Sequence, residues 1–110
     1  MRKFEVWLAD LDPSFGTEAG KTRPVVIVQT NIFTKYASTI ICPITTNVKP
    51  KFLLTRIHLH TGDANLTFDS DIMVDQIRSI DNIRFVKKIG ELPPQYHNAL
   101  NQSLRDVMDL

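Results

Sequence analysis

A chain of 110 residues has room for one hydrophobic core and hence one domain, residues 1–110. Hydrophobic (43%) and charged (23%) fractions in the ordinary range exclude a disordered or fibrous chain. The lone cysteine, Cys42, excludes an intrachain disulfide, and no apolar run approaches the roughly 20 residues of a membrane span. Glu5, Asp10 and Asp12 interrupt any signal-peptide core, so a cytoplasmic protein without membrane contact is expected. A net charge of +1 argues against a protein that coats nucleic acid by charge alone, but the charge is unevenly placed. No acid lies between Glu18 and Asp63, a stretch holding Lys21, Arg23, Lys35, Lys49, Lys51 and Arg56. Asp63, Asp69, Asp71, Asp75 and Asp81 then crowd around the single Arg78. A positive middle attracts a phosphate backbone or an acidic protein tail.

In chain order, Phe4–Ala9 mixes aromatic and β-branched residues and reads as a strand. Asp12-Pro13-Ser14-Phe15-Gly16, with Gly20 close behind, makes residues 12–22 a loop. Pro24–Val28 is a continuous apolar run, as in a strand buried on both faces; Pro24 fits only at its first position or at an edge. Asn31–Tyr36 suits a short helical turn, and Ser38–Ile44 a third strand, in which Cys42 reads as a buried structural thiol. Leu54–His60 alternates polar and apolar residues, as a half-exposed strand does. Ile72–Val74, Gln76–Asp81 and Ile83–Ile89 supply further short strands. Pro93-Pro94 then opens an amphipathic helix whose apolar stripe is Tyr96, Leu100, Leu104 and Met108, with Val107 beside it. Many short strands and one closing helix predict a mainly β protein: a strongly bent sheet or partly open barrel with the C-terminal helix packed on it.

Three motifs bear on chemistry. Gly16-Thr17-Glu18-Ala19-Gly20-Lys21-Thr22 has one residue too few between its glycines for a P-loop, and Arg23-Pro24 leads into a strand where a P-loop needs a helix. His58 and His60 face the same side of a strand and could share a metal, but two ligands do not make a site, and solvent-facing histidines are the plainer expectation. The third pattern is distributed. Glu18, Lys21 and Arg23 lie in or beside the glycine-bounded loop, Thr45-Thr46 closes the third strand, and Asp75-Gln76-x-Arg78 sits between later strands. Together they offer a proton acceptor, a guanidinium held at a loop–strand junction, and hydroxyls, the groups needed to move a proton and stabilise a phosphorane. Pairing of Arg23 with Glu18 and of Asp75 with Arg78 is the alternative reading.

The string Gly16–Val28, with its glutamate, second glycine and Arg-Pro opening an apolar strand, resembles the first signature of the MazF/PemK/Kid toxins. Phe4–Pro13 is similar to that family's opening strand and turn, Pro43-Ile44-Thr45-Thr46 to its second signature, and Asp69–Asp81 to its third. The likeness runs in register over nearly the whole chain. It implies an SH3-like barrel, shared with the gyrase poison CcdB, and a two-fold homodimer. The implied function is a sequence-specific endoribonuclease that cuts single-stranded RNA with no metal or other cofactor. The ribose 2′-OH would attack the adjacent phosphate, leaving a 2′,3′-cyclic phosphate and a 5′-OH. A cognate antitoxin with a disordered acidic tail would neutralise it, and DNA would be met only through that antitoxin.

Carried over residue by residue, the resemblance implies that Arg23 binds the scissile phosphate, that Thr45 hydrogen-bonds a phosphate oxygen, and that Glu18 and Asp75 are the rival general bases. Thr17, Lys21, Thr46, Asn47, Gln76 and Arg78 would line the RNA groove, with Phe15 and Phe52 available to stack on bases. The Kid branch carries an arginine where this chain has Met73 and a histidine where it has Thr17, so Arg23 is expected to carry more of the charge stabilisation. Two rival functions share the fold: a gyrase-directed toxin, and a catalytically inactive binding module in an antitoxin–DNA complex.

Overall fold

The computed structural model describes residues 1–33 and 35–110. Seven strands are all paired antiparallel: β1 (Glu5–Asp10), β2 (Thr22–Ile27), β3 (Ser38–Thr45), β4 (Arg56–Leu59), β5 (Ser70–Met73), β6 (Arg78–Asp81) and β7 (Phe85–Glu91). One helix, α1 (His97–Met108), follows a 3₁₀ turn at Pro94–Tyr96. The sheet runs β4-β5-β3-β2-β1-β7, and β6 pairs with the first half of β3. The mainly β architecture with a closing helix is thus the one the strand pattern predicts, and the sheet stays open. The expected turn over Asn31–Tyr36 is a 3₁₀ turn at Asn31–Phe33, with Thr34 outside the described residues.

Strand alternation divides the core between the two faces of the sheet. Val26 and Val28 of β2 and its continuation join Val6, Cys42, Ile44, Ile72, Val74 and Leu100 beneath α1. Val25 and Ile27 join Ala9, Leu11, Ile41, Met73 and Ile80 on the opposite face. β2 is therefore buried on both sides, which is why its sequence is a continuous apolar run. Each fully buried Val, Leu or Ile contributes about 1.5–3 kcal/mol. On α1, Leu100 is buried and Tyr96, Leu104 and Val107 pack partly against the first cluster. The stripe stops there: Met108 is exposed, and the small Ser103, between Leu100 and Val107 on the buried face, donates from Oγ to the Leu54 carbonyl at 2.8 Å.

The two prolines inside central strands sit where ladders break. The Val28 N–H donates to the Ile40 carbonyl, so residues 28, 26 and 24 direct their backbone groups toward β3. Pro24 has no N–H to give, and the β2–β3 pairing ends one step short of it, at Val25↔Pro43. Pro24 is third in β2, not first, yet it lies at a local edge. Pro43 falls between the part of β3 paired with β6, which ends at Ile41↔Arg78, and the part paired with β5, which begins at Ile44↔Ile72.

The edge strands β4 and β7 are bridged by the loop between β4 and β5. Asn65 Nδ2 donates to the Ile89 carbonyl at 2.8 Å, and the backbone of Ala64 lies against Gly90. A Cβ at Gly90 would stand 2.7 Å from the Ala64 carbonyl carbon, closer than any real contact. Gly90→Ala is therefore expected to destabilise the fold by about 1–3 kcal/mol in denaturant unfolding; an unchanged midpoint would show that this bridge does not close as described.

Candidate active site

The cleft begins where β2 and β3 part. Pairing proceeds outward through Ile27↔Ile41, Val26↔Cys42 and Val25↔Pro43. Continuing that register brings Pro24 opposite Ile44 and Arg23 opposite Thr45, with Arg23 and Thr45 on the same face. Both line a cavity of about 500 Å³ together with Lys21, Thr22, Thr46 and Asn47. Arg23 is half-buried, and its Nε donates to the Gly20 carbonyl at 2.7 Å, which aims the two terminal nitrogens away from that bond. Thr45 Oγ1 accepts the Asn47 N–H at 3.1 Å, leaving its own O–H free to donate.

The loop that carries Arg23 into the cleft is held at several points. Asp12 Oδ1 accepts the Lys21 N–H at 2.7 Å, and the Leu11 N–H donates to the Lys21 carbonyl at 2.9 Å, fixing Lys21 in a left-handed conformation (φ 66°). Gly20 is pressed against Asp12 and Ser14, where a Cβ would have no room. Gln76 clamps the other flank: its Oε1 accepts the Ala19 N–H at 2.7 Å and its Nε2 donates to the Thr17 carbonyl at 2.8 Å.

That clamp forms a second concavity of about 310 Å³, lined by Thr17, Glu18, Asp75, Gln76, Ile77 and Arg78. The predicted residues therefore fall into two groups. Lys21, Arg23, Thr45, Thr46 and Asn47 share the first cavity, and Thr17, Glu18, Asp75, Gln76 and Arg78 share the second. Neither alternative ion pair forms among the described residues. Glu18 Oε1 instead accepts the Phe15 N–H at 2.9 Å, and Arg78 Nη1 is buried without a partner. Asp75 is exposed at the mouth of the second cavity, and its charge adds to the effect of burial in pushing the Cys42 thiol up to about 12. Cys42 is thus an inert core residue. Phe15 and Phe52 are both exposed, and Phe52 stands near Lys49 and Arg56.

One constellation escaped the sequence reading. The row Arg23–Thr45 continues across the sheet as Thr45↔Asp71 and Asp71↔His58. Asp71 is buried and accepts from the Lys49 N–H (2.8 Å), Arg56 Nη1 (3.1 Å) and His58 Nδ1 (3.0 Å). The available signal was the alternation of Leu54–His60, which sets Arg56 and His58 on one face; nothing in the sequence named Asp71 as their partner. Arg56 belongs to the positive stretch of the sequence and Asp71 to the negative one, and in the fold they neutralise each other. Other aspartates of the negative segment are also engaged: Asp63 with Tyr96, Asp69 with Thr61, and Asp81 with the Ile83 N–H.

The match to known proteins follows this geometry. Residues 2–108 match the model of the PemK-like, MazF-like toxins of type II toxin–antitoxin systems, and the chain belongs to that family. Its class is that of the endoribonuclease toxins. It is 34% identical to Endoribonuclease MazF of Staphylococcus saprophyticus, over 94% of this chain and 88% of that protein. It is 30% identical to Endoribonuclease EndoA of Bacillus subtilis, over 96% and 91%. Among solved structures, MazF of Deinococcus radiodurans has the same fold at a TM-score of 0.83 and 19% identity, covering 100% of this chain and 97% of that one. A mycobacterial endoribonuclease in complex with its cognate antitoxin matches at 0.82 and 19%, covering 100% and 96%.

Burial pushes the Asp71 carboxyl up, but the bonds from Lys49, His58 and Arg56 outweigh it and hold the group below its ordinary 3.8. A carboxyl lowered in the folded state binds its proton more readily in the unfolded chain. Its stabilisation is thus complete above about pH 4 and is lost as the pH falls through the folded value. Asp71→Asn should cost roughly 1–3 kcal/mol near neutrality and flatten the acid limb of the stability–pH curve. An acid limb identical to that of the unsubstituted protein would refute this role.

Proposed function

We propose that this chain is a sequence-specific, metal-independent endoribonuclease toxin that cuts single-stranded RNA, arresting translation and growth. The observation that carries this reading is that Arg23 and Thr45 line one open cavity at the β2–β3 break, each with donors to spare. A phosphodiester seated there receives charged N–H bonds from Arg23 and an O–H bond from Thr45. The neighbouring 2′-OH loses its proton to a carboxylate and attacks phosphorus. The P–O5′ bond breaks as the ring closes, and the leaving 5′ oxygen takes a proton from water, giving a 2′,3′-cyclic phosphate and a 5′-OH. As negative charge builds on the phosphorane, fixed donors strengthen their hold, which is the source of the acceleration. DNA lacks the 2′-OH and is inert.

Glu18 and Asp75 are the two proton-acceptor candidates, and they differ in one respect. Glu18 has an oxygen committed to the Phe15 N–H, whereas the Asp75 carboxylate is exposed at the rim of the second cavity. Met73 is buried in the apolar cluster, and the cation opposite it in register, Arg56, is bonded to Asp71. Arg23 therefore supplies the charge stabilisation in the first cavity, with Lys21 at its rim. Lys21, Thr46 and Asn47 on one side and Thr17 and Arg78 on the other flank the RNA path. Gln76, with both amide ends bonded to the loop, acts by holding that path in shape.

The partners follow from the same reading: a second copy in a homodimer, and a cognate antitoxin whose acidic tail occupies the basic cleft, with DNA reached only through it. The solved relatives with this fold include a mycobacterial endoribonuclease bound to its cognate antitoxin and MazE–MazF of Deinococcus radiodurans. A gyrase-directed toxin on this fold would have no need of Arg23 and Thr45. Arg23→Ala is expected to slow cleavage of a long RNA by about 10²-fold or more, and the unsubstituted protein to keep full activity in EDTA with 5′-OH ends at the cuts. Cleavage at the original rate by Arg23→Ala, or activity lost in EDTA and restored by a divalent ion, would contradict the assignment.

A further inference from the structure

The sequence placed two imidazoles on one face of a strand and found no third ligand. The fold supplies one. His58 lies in β4 and His60 just beyond it, and Asp69 stands just before β5, the strand that pairs with β4. All three side chains are exposed, and one ligand atom of each lies within 4.8 Å of the others. The two rings stand perpendicular with centroids 5.3 Å apart. Donors around a tetrahedral ion with bonds of about 2.0–2.2 Å are separated by a little over 3 Å, so closing this set takes side-chain rotations and no movement of the strands.

A second layer prepares the ligands. His58 Nδ1 bonds the buried Asp71 carboxylate at 3.0 Å, so a proton sits between that pair and Nε2 is the nitrogen available to a metal ion. A carboxylate behind the far nitrogen is the arrangement that orients metal-binding histidines and raises their basicity. Asp69 is likewise held, with Oδ1 accepting from both the N–H and the hydroxyl of Thr61 at 2.8 and 2.9 Å and Oδ2 left free. These bonds keep the Asp69 carboxyl ionised, below its ordinary 3.8.

We propose that His58, His60 and Asp69 form a surface site for a divalent first-row transition ion of the zinc class, with water completing the coordination. Two imidazoles and one carboxylate suit Zn²⁺, Co²⁺ or Ni²⁺ and are poor for Mg²⁺ or Ca²⁺, which prefer all-oxygen shells. The ion has no part in the phosphoryl chemistry proposed for Arg23 and Thr45. It ties together the two ends of the loop that bridges β4 to β7 through Asn65 and Ala64, and its effect is on that loop's stability.

The test is titration of the untagged full chain with Co²⁺ alone near neutral pH, followed in the visible spectrum and by calorimetry, with thermal melts at saturation. One Co²⁺ should bind per chain and be displaced by Zn²⁺, and saturation should raise Tm by at least about 4 °C. His60→Ala and Asp69→Asn, both at exposed positions, should each weaken binding at least tenfold. No saturable binding, or binding of undiminished affinity in both variants, would overturn the proposal. Neither readout involves RNA, so failure here leaves the endoribonuclease reading standing, and failure of that reading leaves this one untouched.

Discussion

A pyrrolidine nitrogen has no hydrogen to give, and at Pro24 that lack falls in the middle of the sheet, on the side of β2 that should bond to β3. A continuous ladder would have zipped the two strands shut and buried their ends against each other. Instead the strands separate past Val25↔Pro43, and the residues beyond the break, Arg23 and Thr45, line one open cavity. The inner half of the same strand, Val25 to Ile27, is buried between apolar clusters on both of its faces. The cleft is thus rigid on its inner side and open on its outer side, as a site must be if it is to meet developing charge with fixed donors.

Everything around the break serves to keep these groups in place. The loop before β2 is tied to β1 through Asp12 and Leu11 and to the segment before β6 through Gln76. On the far side, Asp71 lies across from Thr45 and gathers Lys49, Arg56 and His58, anchoring the segment that follows Thr45. The basic character of the cleft then rests on few groups. Arg56 is neutralised by Asp71, and Arg23 and Lys21 carry the positive charge at the cavity.

Much of this was legible in the sequence. Alternation and apolar runs located the strands, because a half-buried strand and a doubly buried one leave different patterns, and the Pro93-Pro94 step with the stripe from Tyr96 located the helix. The candidate site groups are legible as residue types at strand ends and in loops, and the resemblance over Gly16–Val28 and Pro43–Thr46 singles out Arg23 and Thr45 among them. What did not show was pairing across strands. Register set Asp71 against Thr45 and His58, and the parting of β2 from β3 brought Arg23 and Thr45 into one cavity; both are tertiary properties that a single sequence does not print. For the same reason Arg56 and Asp71 were counted in opposing charge blocks, and Asp69 was not seen as a neighbour of His60. Met108 is the exception in the helical stripe: it is exposed, at the rim of an open apolar groove that it lines with Val28, Ile40 and Leu104.

The central claim is that Arg23 and Thr45 grip one phosphate. A double-mutant cycle tests it most directly, with single-turnover RNA cleavage measured for Arg23→Ala, Thr45→Ala and the combined variant. Groups acting on the same phosphorane lose their effect together, so the combined variant should be little slower than Arg23→Ala alone. Effects that simply multiply would mean that the two residues act at separate places, and would contradict the account.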